Sequence, residues 1–383
     1  MTLPEPVRAG LDRVTHGALV DFAALDQVRR RFDEEQASSL RAYLSAAQSP
    51  NTLRAYRSDW VGWAGWCEAE GRQALPADPV DVAVYLAVAA DAVKPDGSPA
   101  FSPSTLERKA AAIAAVHASA GLPSPTRSDV VRLTLRGVRR TRRAQPRRKR
   151  PVLLATLEAL LAERPPQGWP TGAARRRDAL LLLVGFAGAL RRSELAALRL
   201  EDVTVDVDPR THEPLLLVEL GVTKTDQTGA HRQRVVLPRG ARRHTCPVCA
   251  FADWADALGA ADLRAYLEDA VESTVHRCHS YRPGPLSGPL FPAVSRHGRI
   301  GGKPMSDKAV SDVVKRYALR AGLDPALFGG HSLRAGFATQ AALGGASDRE
   351  IMRQGRWTNS RTVHRYIRTA NPLEDNAVTR LGL

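Results

Sequence analysis

The chain has 383 residues, enough for two domains that each bury a core, and its 55 basic against 40 acidic residues give a formal net charge of +15. A charge excess of this size favours a polyanionic partner, because lysines and arginines bound to phosphates release counterions. The four irregularly spaced cysteines do not form a disulfide framework, the longest apolar run (residues 179–190) is too short to cross a bilayer, and no signal pattern follows Met1, so we expect a cytoplasmic protein with reduced thiols.

Residues 1–48 carry two weak helical patterns and predict a partly helical N-terminal extension. Residues 49–140 show no strand pattern and predict a small all-helical domain. Ser49 and Pro50 supply an N-cap followed by a proline at the first helical position. Ser104, with a glutamate three residues later, forms a capping box that predicts the start of another helix. Aromatic residues at core-facing spacing on the first helix are Tyr56, Trp60 and Trp63. The further predicted helices span 79–92, 104–117 and 129–140.

Residues 139–150 contain seven arginines and one lysine, and Pro146 interrupts any helix through them. We interpret residues 141–150 as a basic linker between the helical domain and a second domain, residues 151–383. The charge density predicts that this linker lies along a phosphate backbone. A solvated linker that makes no contact is the alternative.

The second domain is predicted to begin with helices over 153–161 and 176–189, the latter strongly apolar. The hexapeptide Leu-Arg-Arg-Ser-Glu-Leu follows at 190–195, and its Ser193 can cap a next short helix. A charged pair after an apolar helix is often only a helix terminus. Its meaning therefore depends on the segments that follow.

Two apolar runs, 215–219 and 232–237, flank a turn-rich segment that contains Lys224. This pattern predicts a β-hairpin. A lysine in a turn is usually only solvated, so Lys224 is notable for its position and not for its chemistry. A helix is predicted over 306–321.

The segment 330–336 reads Gly-His-Ser-Leu-Arg-Ala-Gly, so His331 and Arg334 share one face of a predicted helix. Ser347 and Glu350 form a capping box that predicts a fresh helix shortly afterwards.

The segment 355–359 reads Gly-Arg-Trp-Thr-Asn, with Trp357 at its centre. Residues 358–360 can cap one more helix, which would carry Tyr366. Cations, an indole N–H and a phenol on short capped helices are the groups that phosphoryl transfer needs: partners for phosphate oxygens, a donor and a nucleophile.

The order of these segments resembles the conserved boxes of the tyrosine recombinases, the phage integrase family. Leu-Arg-x-Ser-Glu-Leu, His-x-x-Arg, Gly-x-Trp and a tyrosine occur in the family's order, and Gly-Arg-Trp-Thr-Asn with Tyr366 nine residues beyond Trp357 is most like the Cre-type members. The resemblance implies a mainly α fold with a small β-hairpin or sheet. It also implies two domains, a helical core-binding domain and a mixed α/β catalytic domain, which form a clamp on DNA.

The resemblance further implies a site-specific recombinase that cleaves and rejoins duplex DNA through a 3′-phosphotyrosine, without metal, nucleotide or other cofactor. Glu194 aligns with the family's supporting acidic residue. The catalytic residues implied by position are Arg191, Lys224, His331, Arg334, Trp357 and Tyr366. Two alternatives stay open: a type IB topoisomerase with the same chemistry, and a non-catalytic DNA-binding regulator derived from an integrase.

The expected partner is double-stranded DNA with inverted-repeat sites, so the protein would be associated with the nucleoid. The predicted DNA-contacting residues are Arg108, Lys109, Arg132, Arg139, Arg140, Arg147, Arg148, Lys149 and Arg150. Residues 371–383 predict a tail helix, with Asn371 and Pro372 at its start. In the family, the corresponding helix docks on a neighbouring protomer, which implies a homotetramer on synapsed DNA.

Cys246 and Cys249 form a Cys-x-x-Cys motif, and His276, Cys278 and His279 follow after a long gap. These residue types are zinc ligands. Because the later residues do not follow at a tight spacing, the motif is interpreted as the beginning of a helix and no metal site is expected, with a zinc site as the alternative.

Overall fold

The computed structural model divides into two compact units, Met1–Pro146 and Arg147–Leu383. The predicted N-terminal extension falls outside the described part of the chain, apart from a few residues. The described residues are 33–36, 38–39, 50–142, 149–221, 233–271, 273–282, 284–367, 378 and 381.

Four α-helices build the described part of the first unit: α1 (Pro50–Ala69), α2 (Pro79–Asp91), α3 (Pro103–Ser119) and α4 (Asp129–Arg142). The third begins earlier than the capping box at Ser104 predicted. Ser102 is the true N-cap, because its hydroxyl accepts from the Thr105 amide at 3.2 Å. Pro103 then occupies the first helical position, where a missing N–H costs nothing.

Aromatic side chains of α1 and α2 form the centre of this helical core. Trp60 and Trp63 are fully buried, as their spacing predicted. The Trp63 ring centroid lies 5.5 Å from that of Trp66 and 5.2 Å from that of Tyr85. The first pair is stacked and the second is edge-to-face, and aromatic pairs of these kinds contribute stability beyond the area they bury.

The described helices of the second unit surround one long apolar helix, α6. Its stretch from Arg177 to Gly185 is continuously buried, which explains why its sequence shows no amphipathic pattern. It packs against α8 and α11. The helices of this unit are α5 (Leu154–Ala162), α6 (Gly172–Ala187), α7 (Arg192–Ala197), α8 (Pro247–Gly259), α9 (Leu263–Glu268), α10 (Asp307–Arg320), α11 (Gly330–Leu343), α12 (Asp348–Gly355) and α13 (Ser360–His364).

A three-stranded antiparallel sheet in the order β1-β2-β3 packs onto this core. Its strands are β1 (Val203–Val207), β2 (Pro214–Leu220) and β3 (Gln233–Pro238). The β2–β3 pair confirms the two predicted hairpin strands, with Leu216 opposite Leu237 and Val218 opposite Val235. Alternation places these four side chains on the buried face. The connecting segment with Lys224 lies outside the described residues.

Three strands were not predicted. The Val-Thr-Val-Asp-Val sequence of β1 does alternate, and this signal could have identified it. β4 (Pro292–Val294) and β5 (Ile300–Pro304) form a separate two-stranded pair. The sequence of β5, Ile-Gly-Gly-Lys-Pro, has no pattern that predicts a strand. Among the helices in the described ranges, none combines the length and apolarity that crossing a membrane requires.

Both ends of the predicted basic linker form hydrogen bonds to the folded unit that they adjoin. Helix α4 continues to Arg142, whose Nη1 donates to the Phe101 carbonyl at 2.8 Å within the first unit. Within the second unit, the Arg150 amide donates to the Leu327 carbonyl at 2.7 Å, and Lys149 Nζ donates to the Ala326 carbonyl. Residues 143–148 between them are outside the described ranges.

Candidate active site

The chain turns sharply after α6 and presents Arg191 at the start of α7. Ala189 adopts a left-handed conformation with φ 48° at this turn. Arg191 itself is the N-cap residue of α7. The carboxylate of Glu194 accepts from the Arg191 amide at 2.9 Å and also from its guanidinium. The prediction that Ser193 caps this helix is therefore wrong, because Ser193 lies inside the first turn.

Arg334 is more deeply buried than Arg191, the other described catalytic arginine that the sequence predicts. Only 1% of it is exposed. Its guanidinium donates through Nη1 to the carbonyl of Ala189 and through Nη2 to the carbonyl of Gly355. Its central carbon lies 4.1 Å from the centroid of the Trp357 ring. This side chain therefore joins the backbone next to Arg191 to the backbone next to Trp357.

Trp357 follows α12, which begins at the predicted capping box. The Ser347 amide donates to the Glu350 carboxylate at 2.8 Å, and the Glu350 amide donates to the Ser347 hydroxyl at 3.4 Å. These two hydrogen bonds confirm the predicted capping box. The helix ends at Gly355, where an added Cβ would lie 1.8 Å from the indole ring. Any larger residue there would push Trp357 out of its buried position.

Arg356 belongs to the site, although the sequence patterns did not single it out. Its Nη2 donates to Glu194 at 3.0 Å, and its Nη1 donates to the Gly188 carbonyl at 3.0 Å. Its side chain is only 7% exposed. Because its partners lie far away in the sequence, local spacing could not reveal this role. The Gly-Arg-Trp sequence contains Arg356, but the resemblance to the family assigned a catalytic role only to its tryptophan.

Tyr366 lies beside both His331 and Trp357. The ring centroid of Tyr366 is 5.1 Å from that of His331 and 5.4 Å from that of Trp357. Thr339 donates its hydroxyl to the Tyr366 carbonyl at 2.8 Å and holds this stretch on α11. Tyr366 is half-buried and does not lie on a helix as predicted, because α13 ends at His364.

Three arginines surround a single carboxylate, so the site carries excess positive charge. Burial raises the pKa of Glu194, but Arg356 and the hydrogen bonds from Arg191 outweigh it and hold this pKa below its usual value. Burial, then Arg191 and Arg356, lowers the pKa of Arg334 to about 9, so its guanidinium stays charged at neutral pH.

The same cations act on His331, whose side chain faces solvent on one side. Desolvation, followed by the charges of Arg334, Arg191 and Arg192, lowers the pKa of His331. A neutral imidazole at neutral pH follows. It can accept a proton, and it adds no further charge to the site.

The structure thus brings together five of the six predicted catalytic residues, and the sixth, Lys224, lies outside the described residues. The hairpin that carries Lys224 is nevertheless tied to the site. Gln354 donates through Nε2 to the carbonyl of Val236 in β3 at 3.1 Å and to that of Ala187 in α6 at 3.0 Å. A half-buried tyrosine, a neutral imidazole and clustered arginines can attack and stabilise a phosphodiester.

Comparison with known proteins identifies the family. The model of the phage integrase family matches residues 260–372. The integrase/recombinase xerD homolog of Selenomonas ruminantium is 32% identical over 364 residues, which cover 94% of each chain. The chain belongs to the phage integrase family of tyrosine recombinases.

A second relative and a solved structure agree with this assignment. Recombinase cre of Escherichia phage P1 is 27% identical over 341 residues, 88% of each chain, so the Cre likeness is weaker than the one to the xerD homolog. The XerH site-specific recombinase bound to palindromic difH substrate shares the fold, with a TM-score of 0.54 at 14% identity over 96% of this chain and 91% of XerH.

The proposed DNA contacts on α3 of this recombinase need correction. Lys109 is buried, and its ammonium lies 3.0 Å from the Tyr85 hydroxyl and 4.7 Å from the Phe101 ring centroid. Its prediction as a backbone contact is therefore wrong, because these partners hold it inside the helical unit. Arg108 is partly exposed and bonded to Asp59 at 2.8 Å.

The remaining basic candidates are mostly on the surface. Arg132 and Arg139 are both exposed. Arg132 forms an ion pair with Asp129, and Arg139 forms one with Glu107 at 2.8 Å. Arg140, Lys149 and Arg150 are also exposed. Arg147 and Arg148 fall outside the described residues.

Replacing Arg356 with glutamine is expected to destabilise the recombinase by about 3–5 kcal/mol, because Glu194 would lose one of its two buried cationic partners. The loss is measured as the shift in free energy of unfolding in urea. Arg353→Gln is the matched control, since Arg353 is exposed on α12, the helix that ends just before Arg356. Equal stability of the two variants would contradict the role of Arg356 in holding Glu194.

Proposed function

We propose that this chain is a site-specific recombinase in which Tyr366 attacks a DNA phosphodiester and forms a 3′-phosphotyrosine. The observation that carries this proposal is the placement of the Tyr366 ring between His331 and Trp357, beside a cluster of arginines. The 32% identity to the xerD homolog over 94% of the chain favours a recombinase over a type IB topoisomerase.

Chemically, the Tyr366 oxygen forms a bond to phosphorus while the bond from phosphorus to the 5′-oxygen breaks. His331 accepts the phenolic proton, and its lowered pKa keeps it neutral for this task. Lys224 protonates the departing 5′-oxygen. The phosphotyrosine conserves the bond energy, so a second 5′-hydroxyl can reverse the step without hydrolysis.

The cations stabilise the negative charge that develops on the non-bridging oxygens. Arg191 is the accessible fork, since its side chain is 19% exposed. Arg334 supplies a fixed, buried positive charge. Its hydrogen bonds to the Ala189 and Gly355 carbonyls keep Arg191 and Trp357 in position. Glu194 and Arg356 orient Arg191 from the side away from solvent.

The assembly that we propose is a tetramer on two paired DNA sites with inverted repeats. Two described residues of the tail, Val378 and Leu381, are 43% and 65% exposed. Their spacing in the sequence puts both on the apolar face of the predicted tail helix, and this face would dock on a neighbouring protomer. The rest of the predicted tail helix lies outside the described residues.

Tyr366→Phe is expected to retain DNA affinity and to lose all covalent product, because only the attacking oxygen is removed. The test is denaturing gel electrophoresis of a nicked substrate, built from the DNA site that the protein occupies in cells. Tyr317→Phe is the matched control, because the buried Tyr317 hydroxyl has no hydrogen-bond partner among the described residues. A covalent adduct in the Tyr366 variant would refute the assignment of Tyr366 as the nucleophile. Absence of any adduct with the wild-type protein would favour a non-catalytic regulator.

Lys224→Ala is expected to slow cleavage of ordinary DNA but to spare a substrate whose 5′-bridging oxygen is replaced by sulfur. A thiolate departs without a proton, so the general acid is no longer needed. Cleavage rates on both substrates give the answer, with Lys308→Ala, on the exposed start of α10, as the control. Equal slowing on the two substrates would show that Lys224 is not the acid.

Deletion of residues 370–383 is expected to leave binding to a half-site nearly unchanged and to abolish strand exchange between two sites. A gel-shift titration measures the first, and a two-site plasmid assay measures the second. Supercoil relaxation on the same plasmid separates recombinase from topoisomerase activity. Full-speed recombination by the truncated protein would mean that the tail does not link protomers.

A further inference from the structure

A cluster of three cysteines and one histidine lies in the second unit, in addition to the catalytic residues. Cys246 is the N-cap of α8, and Cys249 lies in the first turn of that helix. His276 and Cys278 come from the segment between α9 and β4. Although a long stretch of sequence separates the two pairs, the fold brings them together.

The four potential ligand atoms all lie within 4.8 Å of one another. The Nδ1 atom of His276 is 3.4 Å from the Cys249 sulfur and 3.8 Å from the Cys278 sulfur. Tetrahedral zinc, with bonds of about 2.3 Å to sulfur and about 2.0 Å to nitrogen, holds its ligand atoms roughly 3.5–3.8 Å apart. The two nitrogen–sulfur separations match this spacing, and the limit of 4.8 Å for all pairs exceeds it by only about 1 Å, so the cluster suits one zinc ion at its centre.

Surrounding hydrogen bonds orient two of these ligands. The Nε2 atom of His276 lies 3.4 Å from the Ala241 carbonyl, which selects the tautomer that turns the Nδ1 lone pair toward the sulfurs. The Cys249 amide donates to the Cys246 sulfur at 3.5 Å. Outer contacts of this kind are what hold metal ligands in place.

Ordinary packing does not account for this arrangement. Cys67 shows what packing alone looks like: it is 1% exposed and lies in the apolar core of the first unit. Cys246, Cys249 and Cys278 are as deeply buried, but a polar imidazole points its nitrogen at two of them. His279 is not part of the cluster, because its Nε2 lies 3.2 Å from Glu213.

We propose that Cys246, Cys249, His276 and Cys278 form a structural zinc site. This replaces our sequence-based expectation of no metal, which rested on the long gap between the two pairs. Four protein ligands leave no open coordination position, so the ion would have no role in the chemistry. It would fasten the segment before β4 to the start of α8, close to where strand β3 ends. The proposal is independent of the one for Tyr366.

The first test is metal analysis of untagged protein, purified under reducing conditions from zinc-supplemented medium. The expected result is one zinc ion per chain in the wild-type protein and a nearly complete loss in Cys278→Ser. Cys67→Ser is the matched control and should keep its zinc. A wild-type protein without stoichiometric zinc, or one that oxidises to a Cys246–Cys249 disulfide in its place, would overturn the proposal.

A second measurement covers the case in which Cys278→Ser fails to fold. Wild-type protein stripped by a chelator and refilled with cobalt(II) should show the visible bands of tetrahedral cobalt with thiolate ligands. The stripped protein should be cut by trypsin at Arg277 or Arg282 much faster than the zinc-loaded protein. An octahedral cobalt spectrum with equal trypsin sensitivity in both states would refute the site even if some zinc co-purifies.

Discussion

The buried guanidinium of Arg334 is the contact on which the active site depends. It donates to the carbonyls of Ala189 and Gly355 and stacks against Trp357. These partners come from different parts of the sequence, and each precedes a residue of the proposed chemistry. A planar, permanently charged fork can bind two carbonyls at once, which a lysine cannot do.

The backbone around this contact is strained on both sides. Ala189 and Arg356 adopt left-handed conformations, with φ of 48° and 55°. Such conformations cost roughly 1–2 kcal/mol for a residue that has a side chain. Hydrogen bonds from Arg334 and Arg356 to the Ala189 carbonyl offset that cost. Each of these turns comes just before a residue of the proposed chemistry, Arg191 or Trp357, and the bonds from Arg334 to the Ala189 and Gly355 carbonyls help to hold both turns.

Charge balance then sets the chemistry of the site. Glu194 neutralises part of the charge of Arg191 and Arg356, and the remaining excess is positive and partly shielded from water. This excess suits the phosphodiester of the proposed reaction, and together with desolvation, the larger cause, it lowers the pKa of His331. In the proposed mechanism, one arrangement of charges would serve both binding and proton transfer. The zinc site proposed above lies beyond β3, and its role would be mechanical.

Local pattern in the sequence was sufficient for most of the helices, for the β2–β3 hairpin and for the order of the catalytic boxes, because caps, periodicity and spacing are properties of neighbouring residues. The short helix α9 was not predicted, and α13 ends before Tyr366. The burial of Lys109, the role of Arg356 and the convergence of Cys246 with Cys278 depend on residues far apart in the chain. Only the tertiary structure decided these, because burial and ligand geometry are set by which segments the fold brings into contact.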